Sequence, residues 1–316
     1  MSGENDHLTL GSSGIRVSAL GVGTWQWGDR TIWGYGRGGF TDEDITAAFR
    51  GSLEAGIDFF DTAEIYGRGR SETLLGAAVR AAGRPVVVAS KFMPFPWRIR
   101  RAVFRRALGD SLARLGMERV DLYQIHWPMP PMPIESWVDA LGEAVQAGLV
   151  RAAGVSNYNT EQVERAHEVL ARRGVPLATV QVRFNLLSRG PEETGLLEAC
   201  RRLGVTLIAY SPLSQGMLTG KYGPATPPPG MRRMMYRRIL PRLEPLLELL
   251  RGIGGAHGGK SPAQVALNWI VSKGAIPIPG AKNLRQAQEN AGALGWRLQP
   301  SELSALEHSA DAVRGP

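Results

Sequence analysis

Cysteine is nearly absent from this chain: Cys200 is the only one among its 316 residues. A single thiol excludes an internal disulfide framework and a zinc site built from several cysteines. Because residues 196–202 have the spacing of an amphipathic helix, we interpret Cys200 as a small buried side chain rather than a nucleophile. A reducing compartment suits such a chain, and we expect the protein in the cytoplasm.

Long apolar runs are missing as well. The sequence has no run of about 18 apolar residues, the length that a transmembrane helix needs. Residues 1–7 are polar and acidic, without the basic start and apolar segment of a signal peptide. We therefore expect no membrane-spanning segment and no membrane partner.

Lysine is scarce, although the chain is basic. Only five of the 37 basic residues are lysine, the formal net charge is +8, and arginine concentrates at residues 98–106 and 232–242. A basic surface attracts nucleic acid, a membrane or an anionic small molecule. In a chain this rich in arginine, solvated helix faces explain the two clusters, and we expect no nucleic-acid partner.

The sequence does contain a regular alternation of short β-rich runs with longer runs of helical period. Several of the β-rich runs are continuously apolar, as is typical of parallel strands covered on both faces. Eight such alternations predict a (β/α)8 TIM barrel with an N-terminal β-hairpin and extra C-terminal helices. An open doubly wound sheet of the same elements is the alternative, and no shift in composition marks a linker within residues 1–316, which we assign to one domain. The predicted strands are 19–24, 59–63, 86–91, 120–126, 151–156, 178–184, 206–210 and 275–278, after a hairpin of 8–10 and 15–17.

Four helices have recognisable starts. Thr41, Ser71 and Thr160 each offer a hydroxyl N-cap before an acidic first turn. Ser261 is followed by proline and, three residues on, by glutamine, which is the pattern of a capping box. After the seventh predicted strand, residues 211–236 are rich in proline and have no periodicity, so we predict a long loop there.

Two glycine-rich segments match nucleotide-binding patterns by letter only. Residues 254–261 match G-x4-G-K-S, but a helical pattern precedes them, whereas a phosphate-binding loop follows a strand. Residues 34–39 match G-x-G-x-x-G, but about nine loop residues separate them from the first strand. We interpret both segments as connections between elements.

Polar residues that can take part in catalysis lie at or just after the carboxyl ends of three predicted strands. Asp61 and, five residues on, Tyr66 follow the second strand, Lys91 ends the third and His126 ends the fourth. Each has an ordinary structural explanation when it is considered alone. Because active sites of (β/α)8 barrels lie at these strand ends, the four together indicate a catalytic group.

In these residues and in the motifs around them, the sequence resembles the aldo-keto reductase superfamily. The resemblance covers nearly the whole chain, because the motifs follow one another in order from Gly21 to Asn290. It implies NADP(H)-dependent conversion of carbonyls to alcohols, with a small-molecule carbonyl substrate, no metal, and Asp61, Tyr66, Lys91 and His126 as a catalytic tetrad. The matching motifs are Asp61-Thr-Ala-x-x-Tyr66-Gly67, Ser90-Lys91-Phe92, Leu122-Tyr-Gln-Ile-His126-Trp, Gly154-Val-Ser-Asn-Tyr158, Tyr210-Ser-Pro-Leu-x-x-Gly216 and Ile278-Pro-Gly-Ala-Lys282 with Glu289-Asn290.

The same resemblance implies a cofactor that lies extended across the barrel mouth. Ser156, Asn157 and Gln181 would bind the carboxamide, Tyr210 would stack on the nicotinamide, and a segment of residues 211–218 would cover the pyrophosphate. Lys282, at the opening of the last helix, would bind the 2′-phosphate, although Gln286 stands where family members often have arginine. The implied cofactor-binding residues are Gly23, Thr24, Trp25, Ser156, Asn157, Gln181, Tyr210, Ser211, Pro212, Leu213, Gly216, Leu218, Gly280, Lys282, Gln286, Glu289 and Asn290.

The chemistry of the tetrad follows from the reaction. Hydride addition leaves negative charge on the carbonyl oxygen, which must be stabilised and protonated. We assign Tyr66 as the proton donor, with Lys91 lowering its pKa, Asp61 holding Lys91 and His126 orienting the carbonyl.

The substrate is less readable than the reaction. Six aromatic residues in the loops above the tetrad are expected to line an apolar pocket: Trp25, Trp27, Phe92, Trp97, Trp127 and Tyr158. The sequence looks closer to the bacterial and plant reductases, including pyridoxal reductases, than to the hydroxysteroid branch. The alternative function is a cofactor-binding regulatory module like the channel β-subunits, although no long segment precedes the expected barrel; the oligomeric state stays open.

Overall fold

The computed structural model describes residues 6–37 and 39–315. Residues 1–5 of the polar N-terminal segment, Gly38 of the second glycine-rich match and Pro316 lie outside this described part. An antiparallel hairpin of β1 (His7–Thr9) and β2 (Arg16–Ser18) comes first, as predicted.

Within the described residues, a parallel sheet of eight strands follows the hairpin, with each strand paired to the next in chain order. The amides of Gly21 and Gly23 donate to the carbonyls of Pro277 and Pro279, both at 3.0 Å. These bonds join the first strand to the last, so the barrel prediction is confirmed and the open doubly wound alternative is wrong. The strands are β3 (Val22–Gly23), β4 (Phe59–Asp61), β5 (Val87–Phe92), β6 (Val120–Ile125), β7 (Val150–Ser156), β8 (Leu177–Arg183), β9 (Thr206–Tyr210) and β10 (Ile276–Pro277).

The hairpin covers the end of the barrel at which the strands begin. Thr206, the first residue of β9, accepts a hydrogen bond from the amide of Gly11 at 2.8 Å and donates to the carbonyl of Thr9 at 3.0 Å. Leu10, Ile15 and Val17 pack against inward-facing apolar side chains of the strands. Because this end is filled, a ligand must enter at the carboxyl ends of the strands.

Helices surround the barrel, and no helix in the described ranges is long and apolar enough to cross a bilayer. Their buried faces pack on the outer side of the sheet in a second, larger apolar core. The helices are α1 (Asp42–Glu54), α2 (Arg70–Arg80), α3 (Arg101–Leu115), α4 (Ile134–Gln146), α5 (Thr160–Ala171), α6 (Gly190–Glu193), α7 (Leu196–Leu203), α8 (Met231–Met235), α9 (Glu244–Ala256), α10 (Pro262–Ser272), α11 (Leu284–Ala291) and α12 (Pro300–Arg314).

Two of the four predicted N-caps are correct. Thr41 and Ser261 cap α1 and α10, each within a capping box. Ser71 is wrong as a cap, because α2 follows Gly69 in the left-handed conformation (φ 88°) and the Ser71 hydroxyl is buried against Thr24. Thr160 is the first residue of α5 instead, and the side chain of the preceding asparagine caps that helix.

The segment 211–236 is less irregular than predicted. It contains a 3₁₀ turn at Ser214–Thr219 and the short helix α8. The turn includes Ser214 and Gln215 with φ near 50°, a conformation that sequence periodicity does not reveal.

The two glycine-rich matches and one arginine cluster have structural explanations. Residues 254–256 end α9 and residues 257–261 connect it to α10, and residues 34–37 and 39 lie in the loop between β3 and α1. In the cluster at 98–106, Arg98 pairs with Glu64, and Arg101 pairs with Asp139 at 2.7 Å. Neither segment is therefore a phosphate loop, and part of the cluster's charge is neutralised within the protein.

The packing of α2 on α3 yields a stability prediction. A Cβ atom at Gly76 would lie 2.2 Å from the carbonyl oxygen of Leu115, whereas a Cβ atom at Gly109 would meet nothing within 4 Å. We expect Gly76→Ala to lower the free energy of unfolding by about 1–3 kcal/mol, because backbone must move. Gly109→Ala, the matched control on a helix, should raise that free energy by up to about 1 kcal/mol. Denaturant unfolding of both variants tests this, and equal stabilisation of the two would contradict the close contact.

Candidate active site

Asp61 and Lys91 form a buried ion pair between the carboxyl ends of β4 and β5. The Lys91 ammonium contacts Asp61 Oδ1 and donates to the carbonyl of Thr62 at 2.7 Å. Asp61 Oδ2 accepts hydrogen bonds from Gln181 Nε2 at 2.8 Å and from Gln124 Nε2 at 3.2 Å. Burial lowers the pKa of Lys91 while the charge of Asp61 raises it. The pair is thus fixed in place by partners on every oxygen.

Tyr66 and His126 lie next to this pair, at the floor of a cleft. Their rings meet edge to face with centroids 5.8 Å apart, and the Lys91 ammonium is 5.1 Å from the centroid of the Tyr66 ring. Tyr66 opens a turn after β4, and His126 follows β6, its amide donating to the carbonyl of Phe92 at 2.8 Å. The structure therefore brings together all four residues that the strand-end pattern singled out.

The protonation of these two rings differs in part from the sequence-based expectation. Although part of Tyr66 remains exposed, burial raises the pKa of its phenol well above the ordinary value, and Asp61 raises it further. The expected lowering by Lys91 is not found in this structure, because the ammonium is paired directly with the Asp61 carboxylate. Burial, followed by the charge of Lys91, holds the pKa of His126 well below its usual value. At neutral pH the cleft therefore presents a protonated phenol and an uncharged imidazole.

The cleft above the tetrad is a cavity of about 880 Å³. Asp61, Tyr66 and His126 line its floor, and Lys91 lies behind Asp61. Most of the residues expected to bind the cofactor line it too: Gly23, Trp25, Ser156, Asn157, Gln181, Tyr210, Ser211, Pro212, Leu213, Gly216, Gly280, Lys282, Gln286, Glu289 and Asn290.

Two residues expected at the cofactor do not line the cleft. Thr24 is fully buried, and its hydroxyl bonds to the carbonyl of Asp61 at 3.0 Å and to the Ser71 hydroxyl at 2.7 Å. Leu218 is fully buried in the outer core. Both support the cleft from behind.

Near the tetrad, hydrogen bonds between polar groups of the cleft hold the side chain of Asn157 in place. Asn157 has a left-handed backbone (φ 62°), which asparagine tolerates better than most residues. Its side-chain amide donates to the carbonyl of His126 at 3.0 Å and to Ser156 Oγ at 3.1 Å, and its Oδ1 accepts from the Tyr210 hydroxyl at 2.9 Å. This network links β6, β7 and β9 at one side of the cleft.

The far end of the cleft lies at α11. Gln286 Oε1 accepts from the amide of Lys282 at 2.9 Å, and Asn290 Nδ2 donates to the carbonyl of Gly280 at 3.3 Å. The Glu289 carboxylate accepts from the Ser261 hydroxyl. The prediction that Lys282 lies at the opening of the last helix is wrong, because α12 follows α11.

Four basic residues give this end a positive field. Lys282, Lys221, Arg232 and Arg285 all line the cleft, and the charges of Arg232 and Lys221 help burial to lower the pKa of Lys282. An elongated cleft with an acid at one end and clustered cations at the other suits a phosphate-bearing ligand that spans both.

The model of the Aldo/keto reductase family matches residues 19–311. The chain belongs to this family. It is accordingly an enzyme, an oxidoreductase of the aldo-keto reductase type.

Individual relatives agree with this assignment. The chain is 44% identical over 310 residues to a chloroplastic pyridoxal reductase of Arabidopsis thaliana, which covers 94% of this chain and 84% of that protein. Among solved structures it is similar to a glycerol dehydrogenase of Gluconobacter oxydans (TM-score 0.83, 28% identity, 99% and 98% of the two chains). An aldo/keto reductase of Klebsiella pneumoniae, crystallised with NADP and acetate, has a TM-score of 0.75 at 30% identity over 95% and 94% of the chains. These names do not favour the regulatory-module alternative.

Most of the six aromatic residues expected at the substrate pocket of this aldo-keto reductase lie elsewhere. Trp25 and Trp127 line the cleft. The other four do not: Trp27, Phe92 and Tyr158 are buried in the outer core, and Trp97, 73% exposed, stacks on Phe95 away from the cleft.

Sequence reasoning also missed several residues of the cleft. Most of them lie on loops whose path has no sequence signal, and Arg232 alone had been noticed, as part of a basic cluster. The missed lining residues include Gln26, Trp33, Ile65, Arg183, Lys221, Tyr222 and Arg232.

Proposed function

We propose that this aldo-keto reductase reduces aldehydes and ketones to alcohols, with Tyr66 as the general acid and NADPH as the hydride donor. The single observation that carries the proposal is the position of the Tyr66 phenol, whose ring lies between the ammonium of the buried Lys91–Asp61 pair and the imidazole of His126. A phenol in this position can protonate an oxygen that enters the cleft.

The cleft fits NADP(H). When bound, the cofactor supplies the hydride. At Gly280 a Cβ atom would lie 2.1 Å from Gln26 Nε2, so any other residue there would displace the Gln26 side chain, which also lines the cleft. Lys282 and its neighbouring cations suit the additional phosphate of NADP(H) over NAD(H). Klebsiella pneumoniae aldo-keto reductases crystallised with NADP and with NADPH support the same cofactor.

We assign the cofactor contacts by position along the cleft. Ser156, Asn157 and Gln181, with the Tyr210 ring, would hold the nicotinamide end. Ser211, Pro212, Leu213 and Gly216 would lie along the pyrophosphate. Gly280, Lys282, Gln286, Glu289 and Asn290 would hold the adenosine half.

The tetrad then divides the work of carbonyl reduction. The Tyr66 hydroxyl donates its proton to the developing alkoxide, and the Lys91 ammonium stabilises the resulting phenolate. Because His126 is uncharged, it orients the carbonyl by a hydrogen bond without competing as an acid. Asp61 favours the charged form of the Lys91 side chain and holds it in position.

We further propose planar aromatic aldehydes, pyridoxal among them, as the substrate class. Trp25, Ile65 and Trp127 form apolar walls near Tyr66 and His126, and aromatic faces favour a flat ring. The name of the Arabidopsis relative, a pyridoxal reductase, supports this class. A chain with one cysteine suits a reducing compartment, and we propose the cytoplasm, which cell fractionation would test.

Oxidation of NADPH by the purified enzyme tests the proposal. Pyridoxal and benzaldehyde-type substrates should be turned over with a higher kcat/KM than short aliphatic aldehydes, and NADH should be the poorer donor. Tyr66→Phe serves as the blank. Tight NADPH binding without oxidation across the whole aldehyde panel would overturn the reductase proposal and favour a regulatory module.

A further inference from the structure

We propose that Trp33 is a positioning residue for Lys282 and thereby determines preference for a 2′-phosphorylated cofactor. The inference rests on the proposed function, in which Lys282 meets that phosphate. Trp33 lies on the β3–α1 loop, ten residues after the end of β3 and far in sequence from α11, and no motif of the chain includes it.

The contact itself is a cage of two aromatic rings. The Lys282 ammonium lies 4.6 Å from the centroid of the Trp33 ring and 5.2 Å from that of the buried Phe40. Both distances are within the range of cation–π attraction. Trp33 also lines the cleft, so the cage is part of its wall.

The indole is held there by its ring rather than by its N–H group. Trp33 Nε1 is buried and has no hydrogen-bond acceptor among the described residues. The ring meets Trp25 edge to face at a centroid distance of 5.3 Å and meets Lys282 with its face. Trp33 also packs against the outer apolar core. Contacts of the ring rather than a hydrogen bond of the N–H group therefore place this tryptophan, and one of those contacts is with the cation.

The two aromatic rings counteract the repulsion between Lys282 and the other cations of the cleft. Lys221 and Arg232 lie near enough to Lys282 for their charges to lower its pKa. Their own cationic groups lie over the ring of Tyr222. In the absence of an anion, this repulsion favours Lys282 conformations that point away into solvent. Two aromatic faces hold the ammonium in the cleft, and its N–H donors remain able to meet a phosphate.

Preorganisation of this kind changes affinity for one group only. A long lysine side chain loses rotamer freedom when it binds a phosphate, and the cage removes part of that loss beforehand. The gain belongs to ligands that reach Lys282, so the 2′-phosphate benefits and the rest of the cofactor does not.

Binding of two nucleotides without nicotinamide tests the inference apart from catalysis. The probes are adenosine 2′,5′-bisphosphate and AMP, which differ by the 2′-phosphate alone, titrated calorimetrically. Trp33→Leu should weaken the bisphosphate roughly three- to thirtyfold and AMP less than about twofold. Trp33→Phe, which keeps an aromatic face, should fall between. Trp97→Leu, which removes an exposed tryptophan that does not line the cleft, should change neither affinity.

A double-variant cycle separates this inference from the assignment of Lys282. Lys282→Ala should weaken the bisphosphate at least about tenfold, and Trp33→Leu should add nothing in that background. No effect of Lys282→Ala would overturn the Lys282 contact and the inference with it, whereas the reductase activity would stand. An effect of Lys282→Ala with none of Trp33→Leu, equal losses for both probes, or tighter bisphosphate binding in Trp33→Leu would overturn the inference alone.

Discussion

Tyr66→Phe is expected to lower kcat for aldehyde reduction by about 10²–10⁴-fold, with the Kd of NADPH changed less than about twofold. The substitution removes only the hydroxyl and leaves the ring between His126 and the Lys91 ammonium. Because the raised pKa of Tyr66 keeps that hydroxyl protonated at neutral pH, the group that is lost is an acid. Steady-state kinetics together with cofactor titration measures the two effects separately.

A second buried phenol provides the control. Tyr123 on β6 packs against Phe104 with ring centroids 5.8 Å apart and does not line the cleft. Tyr123→Phe should keep kcat within about twofold of wild type. If Tyr66→Phe retained more than about a tenth of the wild-type kcat, Tyr66 would not be the general acid.

Lys91→Met should lower kcat by about 10²-fold or more, because the phenolate of Tyr66 would form without a cation beside it. It should also lower the free energy of unfolding, since removing one partner of a buried ion pair typically costs about 3–5 kcal/mol. The two glutamine donors on Asp61 reduce that cost. An alkaline limb in the pH profile of kcat, where present, should move to higher pH or vanish, because the Asp61 carboxylate, which raises the pKa of the phenol, would lose its neutralising partner.

The double variant Lys91→Met with Asp61→Asn separates stability from chemistry. Neutralising Asp61 removes the uncompensated buried charge, so the double variant should regain part of the unfolding free energy while kcat stays low. Recovery of kcat with stability, or an unchanged pH profile in Lys91→Met, would reduce Lys91 to a structural role.

The barrel and the tetrad could be predicted from sequence for the same physical reason. Apolar runs of strand length fix where each strand ends, and parallel strands bring those ends to one face of a barrel. Asp61, Lys91 and His126 lie at such ends, so their meeting follows from fold alone. The position of Tyr66, five residues past Asp61, does not follow from the strand ends alone, because it depends on the turn that places its ring beside the Lys91 ammonium.

The rest of the cleft depended on loop paths and side-chain directions. Trp33 and Lys221 reach it from loops in which neither periodicity nor capping constrains the backbone, and Arg232 reaches it from the short helix α8. Thr24 and Leu218 illustrate the opposite error, because both lie beside residues of the cleft in sequence but are fully buried behind it. Adjacency along the chain does not decide which way a side chain points.

The pKa of Tyr66 shows what a list of residues leaves out. The sequence places a lysine near a tyrosine, which by itself lowers the pKa of the phenol. The structure adds the Asp61 carboxylate on that lysine and a buried ring, and burial then dominates. In the proposed mechanism, Lys91 therefore stabilises the phenolate as it forms rather than before the reaction.

Transfer of deuterium from NADPH that carries deuterium at both positions of the nicotinamide C4 tests the central claim most directly. With pyridoxal or another aromatic aldehyde, the alcohol product should carry one deuterium on the former carbonyl carbon, as measured by mass spectrometry. The same incubation with Tyr66→Phe should form labelled alcohol at least about a hundredfold more slowly. An alcohol without deuterium, or no alcohol from any carbonyl in the presence of bound NADPH, would contradict hydride transfer in this cleft.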